Sequence, residues 1–331
     1  MKALVYETAH DLADFALELA EVPKPTLRDQ DVLVEVRAIG VNPGEAFIRR
    51  TRSAEPGGRA LLGWEFAGEV VAVGDHVQRF TVGQRVFGTG DTTRDGCWAE
   101  RLAVDHRILA RIPDRLSFVD AASLPIGALT ASEALFRDQD ALPTGVDRVL
   151  VLGGAGAVGS LATQLLKART SAFVISTASR EASRRWCSQM GADLVLDHAG
   201  DIPGQLNAAG MPHVDMVLST AASADHLRWI PKILRPFGHL CIVDGVPALE
   251  VAALAAKSLS LHTEMVFSRI VHGAFPETQG QTLETVAELL TAGRLHPITT
   301  RQLDGLTAET MRTAHKLAET ARTTGKIVIA T

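Results

Sequence analysis

The segment Arg148-Val149-Leu150-Val151-Leu152-Gly153-Gly154-Ala155-Gly156-Ala157-Val158-Gly159 decides the fold, together with the Ser160-Leu161-Ala162-Thr163-Gln164-Leu165-Leu166 that follows. An apolar, β-branched run meets a cluster of glycines and then a helical pattern. The spacing of Gly154, Gly156 and Gly159 is G-x-G-x-x-G. By itself this match is weak, because 28 of the 331 residues are glycine. Its flanks strengthen it, since a strand directly before and a helix directly after are what dinucleotide binding requires. Small residues let the backbone approach a pyrophosphate, and a helix N-terminus offers oriented N–H groups and partial positive charge. Gly154, Ala155, Gly156, Ala157 and Val158 are therefore candidate cofactor contacts. The eighteen residues from Val149 to Leu166 also lack a charge, which is the lower limit for a membrane span. Four glycines at the centre of that stretch favour strand–loop–helix instead, and no membrane association is expected.

Working outward from this segment, strands are expected at 149–152, 172–176, 193–196, 214–218, 239–243 and 258–266, separated by helical stretches. Such alternation predicts a doubly wound parallel sheet, an α/β fold. The first 120 residues read differently. Val32–Ala38 and Phe66–Val73 are strand-like, with glycine turns at Gly74, Gly83 and Gly88–Gly90. That pattern suggests a barrel or sandwich. Beyond residue 270, helices are expected at 282–292 and 308–321, with a loop between them and a last strand at 326–330. The expected layout is a cofactor domain at 123–265 inserted into a β-rich catalytic domain made of 1–122 and 266–331.

The second strand of the α/β unit bears on which dinucleotide is used. Ser179 and Arg180 stand about 20 positions past the glycine loop, where an NAD site carries an acidic residue. A hydroxyl and a guanidinium suit a 2′-phosphate, so NADPH is expected. Arg184 is a further candidate contact, or else part of a solvated helix face. A one-residue shift would bring Glu181 into position and restore NAD.

Composition excludes several classes. The chain is 46% hydrophobic and 21% charged, enough to build a sizeable core, and its net charge of −5 includes no basic stripe for nucleic acid. Cys97, Cys187 and Cys241 are scattered and odd in number, which argues against a disulfide framework and for a reducing, cytoplasmic setting. The only tyrosine is Tyr6, with His10 four residues on, so no Tyr-x-x-x-Lys acid exists.

Several segments share order and spacing with one family. They are Gly40-Val41-Asn42-Pro43, Leu62 to Gly68, Gly74 to Val86, Gly96 to Glu100, Ala121 to Leu135, the glycine loop, and Gly325 to Ile329. Through them nearly the whole chain resembles the medium-chain dehydrogenase/reductase superfamily, in particular its zinc-independent quinone oxidoreductase branch. Leu259 to Arg269 resembles the subgroup labelled zinc-type alcohol dehydrogenase-like. The resemblance implies a Rossmann domain joined to a GroES-like catalytic domain. Metal-dependent relatives carry a Cys after the Gly-Val pair and a His in Gly-His-Glu. Here those places hold Asn42 and Trp64, neither of them a ligand, so no metal is expected.

Further expectations rest on the resemblance. Asn42 falls beside the nicotinamide as a candidate catalytic and substrate-binding donor, although an Asn–Pro turn would also account for it. Glu45, where relatives carry Asp, and Trp64, a wall for a flat substrate or simply core, are further substrate-site candidates. Thr130, Ser219, Thr220, Gly245, Val246, Phe267 and Lys326 match positions that line the cofactor. The strand at 258–266 is the expected sheet edge, which relatives cover with a second subunit, so a homodimer is expected. The implied activity is NADPH-dependent reduction of a quinone or an α,β-unsaturated carbonyl, small molecules both. An alcohol or aldehyde dehydrogenase, and an NADPH-binding sensor, are the competing functions.

Overall fold

The computed structural model describes every residue except 138–140, 247 and 321. The chain forms two compact units. The first comprises Met1–Ile126, Phe267–Gly293 and Pro297–Thr331, and the second Gly127–Val266 with Arg294–His296. The division therefore falls after Ile126 rather than after residue 122. The strands, in chain order, are β1 (Lys2–Val5), β2 (Glu18–Glu21), β3 (Asp31–Val41), β4 (Glu65–Val73), β5 (Arg85–Thr89), β6 (Arg101–Asp105), β7 (Leu109–Arg111), β8 (Arg148–Leu152), β9 (Phe173–Thr177), β10 (Leu194–Leu196), β11 (Val214–Ser219), β12 (Leu234–Ile242), β13 (Ser260–Thr263), β14 (Thr299–Asp304) and β15 (Lys326–Ala330).

In the second unit the sheet order is β10-β9-β8-β11-β12-β13, with every pair parallel. Counted within the unit this is 3-2-1-4-5-6, the Rossmann order, and the chain reverses direction beside β8. The glycine loop leaves β8 at that switch point. Leu150, Leu152, Val217 and Leu240 are fully buried, as strands covered on both faces require. The expected edge strand at 258–266 forms only over Ser260–Thr263, where it is indeed the sheet edge.

The first unit holds a seven-stranded sheet, β14-β15-β3-β4-β5-β7 with β6 also on β3, and a β1–β2 hairpin. Its core gathers Leu4, Ile39, Phe66, Trp64, Trp98 and Ile108. β3 is the hub, pairing β4, β6 and β15 antiparallel. β14 lies in the stretch expected to be loop. Its sequence Thr-Thr-Arg-Gln-Leu-Asp is polar and mostly exposed, so no alternation marks it, and only its parallel pairing with β15 makes it a strand. The segment from Val271 to Gln281, before the helix expected at 282–292, contributes to two helices, Ser268–His272 and Glu277–Thr291. The last helix is Ala308–Glu319, and Ala321, its expected end, lies outside the described residues.

That last helix buries His315 completely, with its ring 5.2 Å from Trp98 and 6.1 Å from Phe15. Burial first, and then the neighbouring Arg49, His10 and Arg50, push its pKa down to about 3. The folded chain keeps His315 neutral while the unfolded chain protonates it below about 6.5. Its contribution is therefore intact above pH 6.5 and erodes as pH falls toward 3, by up to about 1.4 kcal/mol per pH unit. Thermal denaturation of His315→Phe between pH 7 and pH 5 is expected to lose less stability than the parent. Equal losses would show that His315 does not set the acid limb.

Candidate functional site

Two constellations emerge, one in each unit. In the second unit the loop after β8 is held from below. Gly153 N–H donates to Thr177 Oγ1 at 3.1 Å and Gly154 N–H to the Thr177 carbonyl at 3.1 Å. Gly153 has φ of +74°, a left-handed conformation that glycine adopts without penalty. A Cβ there would also lie 2.5 Å from Thr220 Oγ1, whose hydroxyl donates to the Leu152 carbonyl at 2.7 Å. Gly159 packs the helix onto the strand end, because a Cβ there would stand 2.4 Å from the Gly153 carbonyl oxygen. Gly156 is different. It is the N-cap of the helix Ala157–Arg169, and a Cβ on it would meet only the Gly153 oxygen, at 3.5 Å. The space above Gly156 is open, and the first amides of the helix, Ala157 and Val158, precede any helical acceptor. This is an anion cradle in the sense expected of a pyrophosphate site. Gly153, absent from the expected contacts, makes the turn. The G-x-G-x-x-G spacing starts at Gly154 and so passes over Gly153.

Around the loop, Ser179 is half-buried at the end of β9, and Arg180 is the exposed N-cap of the helix Glu181–Gln189. Glu181 is taken up by an ion pair with Arg185 at 2.9 Å. Arg184 is half-buried and donates to the Val195 carbonyl at 3.1 Å, so it braces β10. Ser219 Oγ accepts from Ser223 Oγ at 2.6 Å. Thr130 is buried in the helix Pro125–Phe136, and Gly245 and Val246 follow β12, with open space around Gly245.

In the first unit, strand register builds a buried polar network. Ile327 pairs with Val41, so Lys326 and Asn42 come next in line on their strands. Ile39 pairs with Phe66, which places Glu65 beside Gly40. Lys326 Nζ donates to Asn42 Oδ1 at 2.6 Å and forms an ion pair with Glu65 Oε2. Asn42 Nδ2 donates to the same Glu65 oxygen at 2.9 Å. Glu65 Oε1 accepts from Ile126 N–H at 2.8 Å. A Cβ on Gly40 would sit 2.5 Å from Glu65 Oε2, so only glycine admits that carboxylate. Glu65 is fully buried, and Lys326 and Glu45 are each 2% exposed. Breaking such a buried pair strands a charge, at a cost of about 3–5 kcal/mol.

Asn42 is the N-cap of the helix Pro43–Thr51, with Pro at its first position, so the turn role and the network role coexist. Its own N–H donates to Glu45 Oε2 at 2.9 Å, and Glu45 Oε1 accepts from Trp64 N–H at 3.1 Å. Desolvation raises the Glu45 carboxyl to about 7, against the pull of those two backbone N–H groups and Lys326. Glu45 is thus a structural brace of the Asn42 turn. Trp64 contributes its backbone N–H; its ring is 1% exposed, in edge contact with Phe267 at 6.0 Å, so it is core and not a wall. Asn42 alone in this network is half-buried. Glu65 was missing from the expected site. Its signal is a charge opening a mostly apolar strand.

The residues present do not fit zinc. Asn42 and Trp64, which the family resemblance sets against metal-ligand positions, are a carboxamide and an indole, neither of them a zinc ligand. Cys97 is buried, its thiol pushed well up by desolvation and by Glu45 and Glu65, and it donates to the Glu65 carbonyl at 3.5 Å. Among the described residues no group of three or more His, Cys, Asp or Glu could hold a metal ion. No helix among them is long and apolar enough to cross a membrane. The glycine cradle, by contrast, fits a dinucleotide.

A Rossmann sheet with a glycine loop at its switch point and a separate β-rich unit define a two-domain nicotinamide oxidoreductase. Comparison with known proteins agrees. Residues 28–114 match the family model for the alcohol dehydrogenase GroES-like domain, and residues 190–329 match that for zinc-binding dehydrogenase. A zinc-type alcohol dehydrogenase-like protein of Staphylococcus aureus is 33% identical over 99% of both chains. The 2-methylene-furan-3-one reductase of Solanum lycopersicum is 28% identical, over 99% of this chain and 79% of the relative. The structure of the quinone oxidoreductase from Coxiella burnetii superposes with a TM-score of 0.81 at 25% identity, covering 100% of this chain and 99% of that one. The chain belongs to the medium-chain dehydrogenase/reductase superfamily and is an oxidoreductase of that family.

Proposed function

We propose that this oxidoreductase is an NADPH-dependent, zinc-independent reductase of quinones or α,β-unsaturated carbonyls. The observation that carries this assignment is the Asn42 carboxamide. It is the half-buried member of a buried charged network, and it is held there by Lys326 and Glu65. When bound, NADPH supplies the hydride. Reduction then develops negative charge on a carbonyl oxygen, and a preorganised N–H donor stabilises that charge. Asn42 Nδ2 is such a donor. The chain's other task is position: the amides of Ala157 and Val158 and the open face of Gly156 would hold the pyrophosphate, and Arg180 with Ser179 the 2′-phosphate. Glu181, the acidic alternative, pairs with Arg185 at 2.9 Å, which supports this choice. Protonation of the product falls to solvent.

The activities for which these relatives are named support the same substrate class. A 2-methylene-furan-3-one is a cyclic ketone conjugated to an alkene, and a quinone is a cyclic dione that contains the same enone unit. The test is a substrate panel on chelator-dialysed protein, with NADPH and NADH in parallel. Turnover of quinones or enones, faster with NADPH, is expected. Alcohol oxidation that needs added zinc would overturn the assignment, as would tight NADPH binding with no turnover, which marks a sensor.

The sheet edge at β13 supports a homodimer joined through the Rossmann sheet, and the unpaired thiols of Cys97, Cys187 and Cys241 support a reducing, cytoplasmic setting. Light scattering at micromolar concentration is expected to give the dimer mass, and a monomer mass would remove that part.

A further inference from the structure

The acceptors of the buried network are already committed. Glu65 Oε1 receives the Ile126 N–H, and Glu65 Oε2 receives Asn42 Nδ2 and the Lys326 ammonium. Glu45 Oε1 and Oε2 receive the N–H groups of Trp64 and Asn42. Asn42 Oδ1 receives Lys326 Nζ at 2.6 Å. On the donor side one of the two Asn42 Nδ2 hydrogens serves Glu65. The other has only a 3.4 Å approach to the Gly40 carbonyl, too long for a strong bond.

A carboxamide can be turned end for end at little steric cost, which exchanges its oxygen and nitrogen. Here the exchange would place Oδ1 against a carboxylate and Nδ2 against an ammonium. Both contacts would be repulsive, in a buried setting where charge interactions are strong. We infer that Lys326 and Glu65 are positioning residues, a two-point charged clamp that locks Asn42 as a hydrogen-bond donor and so commits the site to substrates whose oxygen gains negative charge. An alcohol substrate has the opposite need, since its hydroxyl must hand a proton to a base, and each carboxylate and carboxamide oxygen of the network already accepts at least one hydrogen bond. The clamp therefore selects reduction of a carbonyl-type acceptor over oxidation of an alcohol. This selection rests on the proposed reductase function; the geometry of the clamp does not.

The clamp also explains why Lys326, matched by family position to the cofactor, makes both of its side-chain polar contacts inside the network. It gives Gly40 a role too, that of admitting the Glu65 carboxylate beside Asn42.

The test uses the full chain with Lys326→Met, Lys326→Arg and the double variant Lys326→Met/Glu65→Gln. The double variant removes both charges and keeps the buried region neutral, so it remains informative if the single variant fails to fold. Two readouts are taken. The first is the Asn42 side-chain amide signal in an NMR spectrum, assigned through Asn42→Ala. It is expected to be sharp and slow to exchange in the parent and in Lys326→Arg, and averaged or fast-exchanging in the other two variants. An unchanged signal in a folded Lys326→Met or double variant overturns the clamp whether or not the protein turns over. The second is steady-state turnover of a quinone or enone with NADPH. The clamp predicts kcat down about 10- to 100-fold in the methionine variants, less than the roughly 100- to 1000-fold for losing a preorganised donor outright, because Asn42 itself remains. NADPH affinity should stay within about threefold, with partial rescue by arginine. Unchanged kcat, or a loss that tracks weakened NADPH binding, overturns it. Absence of parent turnover would instead fail the reductase assignment and leave the NMR result to decide the clamp.

Discussion

Gly156→Val is expected to abolish dinucleotide binding while leaving the thermal stability of the chain nearly unchanged. A Cβ at Gly156 meets nothing closer than 3.5 Å, an ordinary contact, and φ is −73°, which any L-residue adopts. The fold therefore has room for the valine, and the added methyls project into the space a pyrophosphate needs. A loss of at least about 100-fold in NADPH affinity follows, near 2.7 kcal/mol at tenfold per 1.4 kcal/mol. Gly159→Val is the control with the opposite balance. Its Cβ would collide with the Gly153 carbonyl oxygen at 2.4 Å and Gly154 Cα at 2.7 Å, both backbone atoms. That variant should lose stability as well as binding. Titration of NADPH by calorimetry, beside melting curves, separates the two. If Gly156→Val bound NADPH normally, the cradle would not be the cofactor site.

The second large effect is expected for Asn42→Ala. The variant removes the half-buried donor while keeping the strand register and most of the helix that begins at Pro43. Removing one preorganised donor to a developing oxyanion costs about 100- to 1000-fold in kcat. Nothing in the glycine cradle depends on Asn42, so NADPH affinity should be preserved. Some stability is lost as well, since the Lys326 ammonium loses its 2.6 Å acceptor and Glu65 loses a donor. Turnover is therefore compared at a temperature well below the melting point of the variant. Unchanged kcat would remove Asn42 from the chemistry and leave it as a helix cap.

The dinucleotide cradle and the Asn42 network differ in how far the sequence exposes them. The dinucleotide cradle is local. Strand, loop and helix follow one another within Arg148–Arg169, so spacing alone locates it, and only the choice between Gly153 and Gly154 as the turning residue escapes. The network around Asn42 is non-local. Lys326 and Glu65 reach it only because β15 and β4 pair with β3 in particular registers, and no short window of sequence carries a register. Family position flagged Asn42, Glu45 and Lys326 one by one without showing that they touch. Trp64 shows the converse limit: the motif marked it as a site residue, yet packing decides what its ring does, and the ring is buried in the core. β14 stays hidden for a third reason. It is a polar edge strand, defined by its partner and not by its own pattern.

The central claim is direct hydride transfer from NADPH to an electron-poor acceptor, with no metal required. The measurement that tests it most directly uses NADPH deuterated at its transferable hydrogen, chelator-dialysed protein and a simple enone, with mass and NMR analysis of the product. The account predicts a saturated ketone carrying one deuterium at the carbon β to the carbonyl. A product without deuterium, or product formed only after zinc is restored, would contradict it.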